Sequence, residues 1–148
     1  MKNKELFDHT VKILVNAYLD NSLVQGNCHA CAVGNIIAAN MHLKYDKNLK
    51  WIGKQVAWPQ VFVTVSFEIA QVRRPWNYSG PAKEQINATG YTWQELARIE
   101  YAFERARFAK TQEERMFNGL MAVIEVLSQI HEMDETTKIA TQGLFTKD

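Results

Sequence analysis

A chain of 148 residues fits one domain and is long enough to bury a real core without disulfides. With 47% apolar and 22% charged residues it has the balance of a globular protein, which excludes wholesale disorder. A formal charge of +1 supplies no general footprint for nucleic acid or an acidic membrane.

The charge is uneven: residues 1–54 carry seven Lys against four acids, residues 93–148 seven Lys or Arg against ten acids. Such asymmetry suits head-to-tail self-contact as well as ordinary solvated faces. The opening MKNKELFDHT lacks the apolar stretch of a secretory signal. Two cysteines without such a signal fit a reducing cytoplasm, so that location is expected.

Residues 4–20 read as an amphipathic helix, with Phe7, Val11, Leu14 and Tyr18 at helical spacing and His9 off the stripe. A turn over Asn21–Asn27 leads to the least polar run, CHACAVGNIIAANM, predicted as a central helix over Cys28–Met41 capped by Asn27. Gly34 costs about 1 kcal/mol against Ala inside a helix, so close approach by a neighbouring element is its expected reason. In residues 42–58, Lys44, Lys47, Lys50 and Lys54 interleave with Tyr45, Leu49, Trp51 and Trp58.

Residues 59–72 fit a helix begun by Pro59, while the alternation over 61–67 also allows a short strand. Arg73, Arg74, Trp76 and Tyr78 follow in a loop. A helix over 82–89 is closed by Gly90, and Thr92 with Glu95 makes a capping box for a helix over 93–108. Thr111 with Glu114 caps a helix running to Glu132, with Phe117, Leu120, Ile124, Leu127 and His131 on one stripe. His131 there suits a ring placed against the helix dipole. Residues 133–148 are polar apart from Leu144-Phe145 and would dock or fray. The fold expected is an all-α, single-domain bundle of about five helices packed around the central apolar one.

Three stretches carry candidate chemistry. Gln25-Gly26-Asn27-Cys28-His29-Ala30-Cys31 resembles the start of papain-like proteases. The resemblance implies Cys31 as nucleophile at a helix N-terminus, Gln25 as an oxyanion donor and His131 as the late histidine. His29 stands where that family has Gly, Ala32 where it has an aromatic, and no Asn follows His131 to orient the ring. Cys28, His29 and Cys31 are also the candidates for a metal, but a lone C-x-x-C lacks the second pair that zinc spacing asks for. No metal or cofactor is therefore expected, and the thiols read first as small hydrophobes. The Lys44–Lys54 segment with Arg73 and Arg74 is the candidate nucleic-acid surface, through phosphate contacts and stacking. If exposed, Trp51, Trp58 and Trp76 would anchor a protein partner.

The segments GNCHACAVGNIIAAN, ATGYTWQELARIEYAFE and FNGLMAVIEVLSQIHE resemble small uncharacterised helical proteins of Bacteroidetes-type gut bacteria and their phages. That resemblance implies a cytoplasmic or phage-encoded protein and carries no active site with it. The reading that follows is a non-enzymatic interaction or accessory protein, for which self-association as a homodimer is the expected mode of action. A Cys31 hydrolase and a nucleic-acid module are the alternatives.

Overall fold

A computed structural model describes residues 3–63, 80–105 and 109–145. The fold is all-α. Its helices are α1 (Lys4–Leu19), α2 (Ala32–Asn40), α3 (Pro59–Val63), α4 (Gly80–Asn87), α5 (Trp93–Arg105), α6 (Gln112–Ile130) and α7 (Glu135–Gln142), followed by a 3-10 turn over Gly143–Phe145. Among the described residues the only strand-like pairing is an antiparallel bridge between Tyr45 and Trp51. The alternative strand over 61–67 meets helix α3 at its start, and its remainder lies outside the described residues, as do Arg73, Arg74, Trp76 and Tyr78.

Local chemistry accounts for the outer helices. Asn3 caps α1 by accepting the Leu6 amide at 3.1 Å, and the face carrying Phe7, Thr10, Val11, Leu14, Ala17 and Tyr18 is buried. The Thr92–Glu95 box closes in both directions, at 2.9 and 3.1 Å, so two otherwise unpaired amides are satisfied at the start of α5. Thr111 accepts the Glu114 amide at 3.1 Å at the start of α6. Gly90, at φ +81°, takes the left-handed conformation that ends the α4 region.

Helix α2 is the interior element, and Ala32 through Ala38 are all buried. It packs against α1 on one side and α5 on the other, while α5 and α6 form the most extensive helix pair. The C-terminal segment docks: α7 packs on α6, and the 3-10 turn reaches α1. There Phe145 is fully buried with its ring 5.9 Å from that of Tyr18, whereas Leu144 points out.

The start of α2 departs from expectation. The helix begins at Ala32, not Cys28, and its N-cap is Cys31, not Asn27. The Asn27 carbonyl accepts the amides of Ala30 (3.1 Å) and Cys31 (2.8 Å), closing a tight turn before the helix. Cys31 is then extended (φ −74°, ψ −175°), and its sulfur accepts the Gly34 amide at 3.3 Å. On α6, Phe117 falls off the buried stripe, which runs instead through Met116, Leu120, Val123, Ile124, Leu127 and Ile130.

Candidate functional site

The turn over residues 25–31 gathers the candidate chemistry and is fastened to α5, α6 and the 45–58 segment. The Gln25 side chain donates to the carbonyls of Phe103 (2.8 Å) in α5 and Arg115 (3.1 Å) in α6. Phe103 is in the last turn of α5, whose carbonyls have no partner within the helix. The Gly26 amide donates to both carboxylate oxygens of Glu104, at 2.8 and 2.9 Å. Gln25 therefore ties the corner between two helices, and its amide is not presented as an oxyanion donor.

Two carbonyls of the turn are held by the aromatic residues of the lysine-rich segment. The Cys28 carbonyl accepts the Trp58 indole N–H at 3.2 Å. The His29 carbonyl accepts both the Tyr45 hydroxyl (2.6 Å) and the Trp51 indole N–H (2.9 Å), which occupies its two lone pairs. The His29 ring completes the fastening: Nδ1 accepts the Trp51 backbone amide at 3.0 Å, and the two rings meet edge to face at 5.6 Å. From below, the buried Asn35 side chain donates to the carbonyls of Ser22, Ala30 and Cys31.

This arrangement corrects two expectations. Trp51 and Trp58 are not surface anchors, being 6% and 1% exposed. Rings that bury apolar area while donating an N–H to a trapped carbonyl satisfy both halves of an amphipathic side chain. The interleaved segment thus splits by chemistry. Lys44, Lys47 and Lys50 face solvent, Lys54 pairs with Glu84 at 3.3 Å, and the stacking rings are turned inward.

Neither thiol sits in the electropositive setting that activates a cysteine. Cys31 is fully buried, and its sulfur meets the Gly34 amide, the Cys28 carbonyl and the Glu100 carboxyl group. Among the described residues no imidazole is hydrogen-bonded to it. Burial first, and then the Glu100 carboxylate, push this thiol well above its ordinary range, the reverse of what an activated cysteine requires. Cys28 is exposed, yet desolvation followed by Glu100 and Glu104 raises its thiol too. Glu100 and Glu104 look in the sequence like one solvated face of α5. No local pattern places them beside the cysteines, because that proximity comes from the packing of α2 against α5.

His131 is engaged with other residues. Its ring is fully buried, with Nε2 2.8 Å from the Tyr91 hydroxyl, which in turn lies 2.9 Å from Thr10 Oγ1. The Phe7 and Tyr91 rings each meet it edge-on at 5.5 Å. The residue does cap α6, through its backbone, but the side chain turns into the core and joins α6 to α1. Cys31, Gln25 and His131 are therefore not assembled into one site. Nor, among the described residues, do Cys28, His29 and Cys31 belong to any group of three or more His, Cys, Asp or Glu side chains able to hold a metal. Among the clefts lined by described residues are one of about 440 Å³ beside Lys54, Gln55, Val56, Ala57, Gln60, Pro81 and Glu84, and one of about 240 Å³ between α1 and α2. Neither includes a cysteine or a histidine.

Comparison with protein-family models, with curated proteins and with solved structures finds no match to this chain. Among the described residues no helix is long and apolar enough to cross a membrane.

Proposed function

We propose that this chain is a non-enzymatic interaction or accessory protein, cytoplasmic and of bacterial or phage origin, that acts through its outer surface by self-association or by binding a protein partner. One observation carries the reading: the cysteine turn, where catalysis would be sought, spends its polar groups on internal fastenings to α5, α6 and the 45–58 segment. The origin and the location both rest on the sequence resemblance.

The surface supplies anchors other than the tryptophans. Ile52, Ile139 and Leu144 are 55%, 58% and 54% exposed, and Leu19 is half exposed. The basic N-terminal and acidic C-terminal thirds add a charge term that favours head-to-tail contact and weakens with salt. Sedimentation over a wide concentration range tests the proposal. The expected result is a mass that rises with concentration and returns to the monomer in an Ile139→Lys, Leu144→Lys double variant. A monomer at every concentration, together with ester or peptide hydrolysis that disappears in Cys31→Ala, would replace this reading with the thiol hydrolase.

A further inference from the structure

We propose that His29 is an acid-sensitive latch: protonation at Nδ1 releases the Trp51 segment from the cysteine turn and opens Cys31 to solvent. The inference rests on the geometry of the turn and is independent of the function proposed above.

The latch follows from which nitrogen is engaged. Because Nδ1 accepts the Trp51 amide, the neutral ring carries its proton on Nε2. Adding a second proton puts an N–H where the acceptor stood, facing the Trp51 N–H at a separation of 3.0 Å. The hydrogen bond cannot survive that change, and the ring must rotate or withdraw. Rotation also disturbs the edge-to-face contact with the Trp51 indole, whose N–H holds the His29 carbonyl. The ring is half buried, so protons reach it without prior unfolding. The turn it closes lies directly over the N-terminus of α2, where Gly34 sits beneath the Cys28 and His29 carbonyls and Cys31 is sealed.

Among the described residues, the charged groups that bear on the latch come from the 45–51 loop and from α5. From the 45–51 loop, Lys50 opposes a proton on His29 and Asp46 favours it, with the Tyr45 phenol beside the same turn. Cys28 neighbours it in the chain, and Glu100 and Glu104 of α5 face the two thiols. Glu100 and Glu104 are thus the other groups whose charge could alter Cys31, and the test separates them from His29.

The test uses Cys28→Ser chain, in which Cys31 is the sole thiol, and 4,4′-dithiodipyridine, a disulfide reagent that reacts in acid. Rates are normalised to a small free thiol at each pH. The normalised rate should rise about tenfold or more between about pH 8 and pH 5, as an imidazole titrates, while far-UV circular dichroism stays helical. His29→Asn on this background keeps an acceptor oxygen near the Nδ1 position but does not titrate, and should abolish the rise. His29→Leu, with no acceptor, should show the raised rate already at neutral pH. The proposal is overturned by a flat profile, by an unchanged rise in His29→Asn, which would point to the α5 carboxylates, or by a rise that tracks loss of helix.

Discussion

Gly34 lies directly beneath the peptide of His29: a Cβ at position 34 would stand 2.5 Å from the His29 carbonyl oxygen and 2.5 Å from that of Cys28. Both contacts are backbone, and the same two carbonyls are pinned from the other side by Trp58, Trp51 and Tyr45. The turn cannot lift to make room. Gly34→Ala should therefore destabilise the chain by about 1–3 kcal/mol despite the gain in helix propensity, an overpacking cost read from urea denaturation.

The buried chain from Thr10 through Tyr91 to His131 joins α1, the segment before α5, and the end of α6. Tyr91→Phe keeps the ring but removes the hydroxyl that meets both neighbours. With Tyr91 only 4% exposed, water cannot easily replace it. The expected loss is about 1–3 kcal/mol in urea denaturation, with helix content unchanged.

Helix α2 ends with His42 in the left-handed region, at φ +58°, while the Leu43 amide reaches back to the Ala38 carbonyl at 2.8 Å. This is the C′ position, where glycine avoids the steric cost borne by a side chain. Because His42 is exposed, His42→Gly removes little packing. It should raise stability by about 1 kcal/mol, measured as a higher thermal midpoint.

What was legible in the sequence was local. The α1 stripe and the Thr92–Glu95 box depend on residues three or four apart and stand where their patterns put them, while Gly90 is left-handed as expected but α4 runs Gly80–Asn87, two residues earlier than 82–89. The close approach behind Gly34 was legible as well, but its source was not a neighbouring helix. It is the preceding turn of the same segment. Cysteine as an N-cap is outside the usual capping residues, so the helix start was misplaced by four residues, from Cys28 to Ala32. The aromatic residues among lysines misled for a different reason. Alternating lysine resembles a solvated loop, and only the fold shows that two unpaired carbonyls needed indole and phenol donors.

Stability should depend on pH through His29 in a definite direction. Burial, and then Lys50, hold its folded pKa below the ordinary 6.5, so the unfolded chain binds the proton more readily. Its contribution is complete above 6.5 and is lost as pH falls through the folded value. Asp46, lowered from 3.8 by the Lys50 and Asn48 amides, contributes fully above 3.8 and fades only below it. A urea midpoint that sags as pH falls below 6.5, already above the 3.8 at which Asp46 begins to fade, in the native chain and not in His29→Asn, is the expected pattern.

The central claim is that the cysteine turn is a structural fastening and not a reactive centre. Mapping alkylation by iodoacetamide at about pH 7 tests it directly, since an ordinary thiol is then only a few per cent thiolate. The account predicts slow modification of Cys28 and none of Cys31 until urea unfolds the chain. Rapid, selective labelling of Cys31 in the folded protein would contradict it.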